Sequence, residues 1–262
     1  MTGQPHQMEP TPINASPVTG MQAMIFAAGL GTRFKPWTDQ HPKALALVNG
    51  KSLLQKNIEY LQAQGIREVI VNVHHFADQI DQAIVENDGW GSNVLVSDER
   101  DLVLETGGGL LKAKELFEPG KRFISCNADF LTNLDIGKLL IFHMQQQALI
   151  SFGVTNRVSS RNLLFNKDYR LTGWKNRSTG EEKISIPDEP VAHELAYSCV
   201  VVFEYEIFRL MEAAGFSGKF SLIDVYLKLA PDHLIMGYDH SGDKLVDVGK
   251  PEQVAVAEAL FP

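Results

Sequence analysis

Two cations, Arg33 and Lys43, stand close in sequence around a glycine-containing loop, Ala27-Ala28-Gly29-Leu30-Gly31-Thr32-Arg33. The loop follows a short apolar run, Met24-Ile25-Phe26, that reads as a buried strand. Its two glycines let the backbone turn tightly and approach a ligand closely. Exposed backbone N–H groups in such a loop form an anion-binding nest. Arg33 adds a fixed fork of donors, and Lys43 adds a compact movable charge. This chemistry suits the gripping of a triphosphate; the alternative is a tight strand–helix turn with solvated basic residues. The Walker pattern of Gly, four residues and Gly-Lys-Ser/Thr is absent. The dinucleotide fingerprint needs a third glycine where Phe34 stands, and an acid where the chain has Asn72-Val73-His74-His75.

Two acids complete the chemical set. Asp129 closes Asn127-Ala128-Asp129, and Asp247 lies in Leu245-Val246-Asp247-Val248-Gly249. Each follows an apolar run, and in an open α/β sheet ligands bind beyond the carboxyl ends of the strands. Two carboxylates on that edge would suit Mg²⁺, which takes one or two carboxylates plus phosphate oxygens and waters. Taken singly, each acid reads equally as a helix cap or a surface charge. In Leu104-Glu105-Thr106-Gly107-Gly108-Gly109, three glycines opening a helix allow backbone approach to a base or a sugar. The plainer reading is a loop before a helix. His74 and His75 are adjacent on a strand, so they point to opposite faces and do not share one ion. No zinc spacing is present.

These residues must be held by a chain of 262 residues, enough for one large α/β domain with a substantial core. Net charge is −8, which argues against a nucleic-acid partner. It also sharpens the chemical problem. Two like unit charges 4 Å apart repel by ~4 kcal/mol at an effective dielectric of 20. An acidic chain can hold a triphosphate only with local cations and a bound metal. Cys126 and Cys199 are the only cysteines, with no framework, which suits a reducing cytoplasm. No run approaches the eighteen or so apolar residues of a membrane helix, so no membrane partner is expected. Residues 1–20 hold four prolines and no lysine or arginine, and read as a flexible leader. Residues 21–262 read as a single domain.

Hydrophobic periodicity places helices over 52–64, 78–86, 107–117, 135–147, 221–230 and from 251 to about 260. Strands are expected over 66–73, 93–97, 122–126, 149–155, 196–203, 234–238 and 244–246, with a hairpin of 162–165 and 169–174 about Asn166-Lys167-Asp168. Residues 175–194 read as a loop. Strand–helix alternation predicts a doubly wound, mixed but mostly parallel Rossmann-like α/β sheet flanked by helices, with a small antiparallel insertion in the second half.

The full string, GxGxR followed by Lys35-Pro36 and then Pro42-Lys43, resembles the signature of the sugar-1-phosphate nucleotidyltransferases. The resemblance covers most of residues 22–260 and is thin from 156 to 195. It implies an enzyme of the 2.7.7 class. A sugar-1-phosphate oxygen would attack the α-phosphorus of an NTP in line, and pyrophosphate would leave. Arg33 and Lys43 would be catalytic, and Ala27 through Arg33 with Glu105, Thr106, Gly107 and Gly108 would bind nucleotide. Asp129 and Asp247 would hold Mg²⁺. Ala128 stands where the family usually has glycine, and Lys250 where it usually has threonine. Leu-Glu-Thr-Gly-Gly-Gly looks most like the N-acetylmuramate-1-phosphate uridylyltransferases, which implies UTP and a cell-wall precursor sugar. The family's Glu-Lys-Pro element is missing. Lys175 and Arg161 are the nearest substitutes for its lysine, or else solvated surface residues. Asn127 and Ser198 are further candidates to face the sugar, Ser198 equally a satisfied strand-edge hydroxyl. Mannose-1-phosphate guanylyl transfer, phosphocholine-type cytidylyl transfer and a non-catalytic nucleotide-sugar-binding subunit stay open. A cytoplasmic monomer or small homo-oligomer is expected.

Overall fold

A computed structural model describes residues 17–262. The strands are β1 (Gln22–Phe26), β2 (Leu47–Val48), β3 (Lys51–Ser52), β4 (Glu68–Val73), β5 (Asn93–Asp98), β6 (Phe123–Asn127) and β7 (Phe130–Thr132). They continue with β8 (Ile150–Thr155), β9 (Arg161–Phe165), β10 (Leu171–Asn176), β11 (Glu182–Ile184), β12 (His193–Phe203), β13 (Ile235–Asp239) and β14 (Leu245–Asp247). The helices are α1 (Leu53–Gln64), α2 (Ala77–Glu86), α3 (Glu105–Lys112), α4 (Ile136–Gln146), α5 (Ile207–Ala213), α6 (Leu222–Leu229) and α7 (Glu252–Leu260).

The central sheet is the expected mixed sheet flanked by helices. Its first half, in the order β6-β1-β4-β5, is parallel throughout. Alternate residues of these strands enter opposite cores. Met24 and Ile70 pack on one face, while Ala23, Ile25, Val69 and Val71 pack on the other. A strand covered on both faces is apolar at both parities, which is why residues 66–73 show no alternation. Ser52 caps α1 by accepting the Gln55 N–H at 3.0 Å, and Gly65 ends it with φ +98°.

In the second half, β12 runs antiparallel to β6 along one flank and to β8 along the other, so β8 and β6 share a direction. Val200 of β12 lies opposite Cys126, near the carboxyl end of β6. The earlier residues of β12 therefore extend past that end. There they pair with β9, which continues into β10 and β11 as an antiparallel wall. The loop expected over 175–194 is partly sheet, because β10 runs to Asn176, β11 pairs with it and β12 begins at His193. Helix α5, whose apolar face is short, is absent from the periodicity reading. The helix expected over 107–117 starts earlier, at Glu105, so its glycines lie inside it.

Residues 1–16 of the expected leader lie outside the described residues. Of the remainder, Val18 is fully buried in a core cluster. The folded body thus includes a residue that the sequence reading assigns to the leader.

His143 on α4 is fully buried, with Nδ1 2.9 Å from Ser151 Oγ and Nε2 3.4 Å from Glu204 Oε1. Burial lowers its pKa, overcoming the raising effect of Glu204. The folded state therefore binds this proton less tightly than the unfolded chain. Its contribution to stability is present above the unfolded value of about 6.5 and is lost as pH falls towards the folded value. Thermal denaturation from pH 7.5 to 5.5 should show a falling Tm, and His143→Gln should flatten that slope.

Candidate active site

The opening loop is shaped by its own packing. Gly31 has φ +60°, and a Cβ there would lie 2.7 Å from Thr38 Cγ2. The Thr38 hydroxyl donates to the Gly31 carbonyl at 2.9 Å. The N–H groups of Ala27 and Ala28 both donate to Asn72 Oδ1, at 2.7 and 3.3 Å. These two residues line the site, yet their N–H groups are already engaged. Among the described residues, no protein acceptor meets the N–H groups of Gly29, Leu30 and Gly31. The N–H groups of this loop that stay open to a ligand therefore begin at Gly29.

A cavity of about 440 Å³ opens at the carboxyl ends of β1, β4 and β6. That volume lies in the range of small-molecule sites, ~300–1,000 Å³. Ala27 through Arg33, Lys43, Glu105, Thr106, Asn127 and Asp129 all line it. Lys43 Nζ donates to Asp129 Oδ2 at 2.5 Å.

Asp247 reaches this corner by a route different from the one expected. Its strand β14 is outside the main sheet and pairs antiparallel with β7, placing Asp247 opposite Phe130. The Val248 N–H then donates to the Asp129 carbonyl at 2.8 Å. Val246 and Val248 are buried in a small core with Phe34, Leu53 and Leu131. Side chains alternate along a strand, so burying both valines turns Asp247 the other way, towards the site. The same core holds Phe34, the neighbour of Arg33. A Cβ on Gly249 would lie 2.7 Å from Asp247 Oδ1 and 3.1 Å from Arg33 Nη2. Arg33 and Asp247 thus meet across a residue that has room only for hydrogen.

Burial raises the pKa of Asp247, and the charge of Asp129 raises it further, against the pull of Lys43, Arg157 and Arg33. Asp247 Oδ1 is buried without a hydrogen-bond partner. Two carboxylates near enough for the charge of one to act on the other, one with an orphaned oxygen, form a donor set that fits a hard cation. Among the described residues there is no cluster of three acids, histidines or cysteines, so the remaining ligands must come from substrate and water.

Several expected site residues fall elsewhere. Gly107 and Gly108 do not line the cavity, and both their N–H groups donate to the Phe220 carbonyl, at 3.0 and 3.2 Å. A Cβ on Gly108 would lie 2.1 Å from Gly218 O. These glycines admit a neighbouring loop of the protein rather than a base or sugar. Gly108→Ala should lower stability by about 1–3 kcal/mol through overpacking, read as a Tm drop. Lys175 sits on β10, paired with Glu182 at 3.3 Å and away from the cavity. Four strand spacings separate β10 from β1, roughly 19 Å. Arg161 is exposed at the start of β9. Ser198 is fully buried, with Oγ 2.8 Å from His240 Nε2, and does not line the cavity. Lys250 is exposed.

Other residues join the site without having been expected there. Asn72 braces Ala27 and Ala28, and its Nδ2 donates to Glu99 Oε1 at 2.7 Å. Glu99 lines the cavity, is fully buried, and has its pKa raised by burial. A polar Asn72 inside an apolar strand is the signal for this brace, since buried polar groups are the informative exceptions. Lys219 also lines the cavity, with Nζ 3.5 Å from Glu105 Oε1.

The sheet, the loop after β1 and the acid pair define a nucleotidyltransferase. Residues 22–162 match the nucleotidyl transferase domain family, and the chain belongs to that family. It is 32% identical over 245 residues to the N-acetylmuramate alpha-1-phosphate uridylyltransferase of Caulobacter vibrioides, covering 90% of this chain and 95% of that protein. A protein of the same description from Neisseria meningitidis serogroup B is 38% identical over 115 residues, covering 44% of this chain and 49% of its own. The solved structure of HddC from Yersinia pseudotuberculosis, complexed with GMP-PN, shares the fold with a TM-score of 0.72 at 22% identity. That likeness covers 92% of this chain and all of that one. No described helix is long and apolar enough to cross a membrane.

Proposed function

We propose that the chain transfers a uridylyl group from UTP to a sugar 1-phosphate, with N-acetylmuramate 1-phosphate the preferred acceptor, and that it depends on Mg²⁺. The observation that supports this most is the convergence of Arg33, Lys43 and Asp129 on one cavity, with Asp247 beside it: a Cβ on Gly249, which lines that cavity, would lie 2.7 Å from Asp247 Oδ1 and 3.1 Å from Arg33 Nη2. The choice of UTP and of the sugar rests on the two uridylyltransferase relatives.

In this reading the sugar phosphate is already an anionic nucleophile, so no dedicated general base is needed. Catalysis is positioning and charge neutralisation. The Gly29–Gly31 N–H groups hold phosphate oxygens. Arg33 balances the charge that develops on the departing pyrophosphate. Lys43 moves from Asp129 towards the reacting phosphates when substrate arrives. Asp129 and Asp247 would hold Mg²⁺, which when bound neutralises phosphate charge.

The test is a pyrophosphate-release screen of ATP, CTP, GTP and UTP against the 1-phosphates of N-acetylmuramate, mannose, glucose and glucosamine. UTP with N-acetylmuramate 1-phosphate should give the highest kcat/KM, and EDTA should abolish it. Preference for GTP with mannose 1-phosphate would overturn the substrate assignment. Absence of pyrophosphate from every pair would overturn the reaction.

A further inference from the structure

The cavity described above holds Arg33, Lys43 and Lys219, the last paired with Glu105 at 3.5 Å, and all three face the nucleotide side; the phosphate of the second substrate needs a cation on the β6, β12 and β8 side. Lys175 and Arg161 do not serve, because both lie out on the antiparallel wall. A third cation does reach the aspartate pair. Arg157 follows the end of β8 by two residues. Because β8 runs in the direction of β6, that end lies on the same carboxyl edge of the sheet as Asn127.

The side chain is held in place from two directions. Its guanidinium carbon lies 5.6 Å from the centre of the Phe130 ring, and Phe130 directly follows Asp129. Its Nη2 donates to the Tyr197 carbonyl at 3.2 Å. Tyr197 belongs to the part of β12 that extends past the end of β6. Arg157 is therefore pinned between the residue after the first aspartate and the wall that rises beyond it. Its charge is felt by Asp247.

This anchoring leaves the guanidinium underused. Arg157 Nε is buried without a hydrogen-bond partner. At the adjacent end of β8, Thr155 Oγ1 is also buried and unpartnered, as is Asp247 Oδ1. Buried polar atoms are nearly always satisfied, and leaving one without a partner is unfavourable. Orphans of both signs at the edge of an active site suggest a partner that arrives with substrate.

The geometry points to Arg157 as the residue that binds the phosphate of the sugar 1-phosphate, in a subsite over β6, β12 and β8, beside the nucleotide cavity over β4, β1 and β6. This assignment rests on the nucleotidyl-transfer reading. A guanidinium fork recognises a phosphate in two-point fashion, and stacking on Phe130 keeps it pre-organised. The two substrates then approach the aspartate pair from opposite sides, as in-line attack requires.

The test compares wild type, Arg157→Gln and Arg157→Lys in steady-state pyrophosphate release, using the most active of the four sugar 1-phosphates above, with Tm measured alongside. Arg157→Gln should raise KM for the sugar 1-phosphate about 10- to 100-fold, the loss expected for a charge-assisted contact, while KM for the nucleotide stays within about twofold. Arg157→Lys should recover part of the sugar-phosphate affinity. An equal rise in both KM values with a fallen Tm would mark Arg157 as a purely structural link between Phe130 and Tyr197 and overturn the assignment, as would an unchanged sugar-phosphate KM. If Arg157→Gln does not fold, Arg157→Lys decides: a selective rise in sugar-phosphate KM supports the subsite, and wild-type values contradict it. Wild-type protein inactive with all four sugar phosphates would overturn the nucleotidyl-transfer reading, and this assignment with it.

Discussion

Lys43→Ala should lower kcat/KM for pyrophosphate release by about 10²–10³-fold, the usual loss when one pre-organised donor to a charged transition state is removed. The physical reason lies in the 2.5 Å contact between Lys43 Nζ and Asp129 Oδ2. Without substrate, Lys43 offsets the repulsion between Asp129 and Asp247. With substrate, the same ammonium is free to turn to phosphate, because it sits on a flexible stem and lines the cavity. The substitution removes both functions. Lys43 is largely buried, but its neighbours Ala44 and Ala46 carry the packing, so the protein should remain folded. Circular dichroism and steady-state kinetics on the same preparation check this. Wild-type turnover in the folded variant would reject the role.

The second large effect is expected at Asp247, and it has two parts of opposite sign. Asp247→Asn should reduce Mg²⁺-dependent turnover by about 10³-fold or more, since a divalent cation supplies several kcal/mol of charge stabilisation in phosphoryl chemistry. The same substitution should stabilise the substrate-free protein at neutral pH. Burial and the Asp129 charge raise the folded pKa of Asp247 above its unfolded value. A carboxyl of this kind binds its proton more tightly in the folded state. It costs nothing below the unfolded pKa of about 3.9, and its ionised form becomes unfavourable as pH rises through the folded value. Asparagine, which carries no charge, removes that penalty. The expected result is a Tm raised by a few degrees, about 2–4 °C per kcal/mol for a domain of this size, in a nearly inactive protein. A falling Tm with intact activity would show that Asp247 is structural.

These two effects also show where sequence reading reaches and where it stops. The Gly29–Arg33 loop, Lys43 and both aspartates were open to local reading, because glycine spacing, charge type and position after an apolar run each have a direct physical meaning. So was the parallel half of the sheet, whose strands are apolar at both parities. The means by which Asp247 arrives was not. β14 is three residues long, and only its pairing with β7 brings Asp247 to Asp129. Such pairing across more than a hundred residues leaves no local mark. The glycines at 107 and 108 show the reverse error. Their need for space is real, but the occupant is the Phe220 segment, far away in sequence. Lys175 and Ser198 fail for a related reason. A charge or hydroxyl shows chemistry, whereas its distance from the site depends on sheet order, and β10 lies near the outer edge. Arg157 carries no sequence signal, because a lone arginine in a polar stretch has no pattern.

The central claim is that the loop cations and the two aspartates act on one triphosphate. A double-mutant cycle on kcat/KM for pyrophosphate release, with Lys43→Ala, Asp247→Asn and the combined variant, measures this directly. Groups that act as a unit on shared phosphates are strongly non-additive, so the combined variant should be little slower than the worse single one. Losses that multiply in full would show two independent sites and contradict the account.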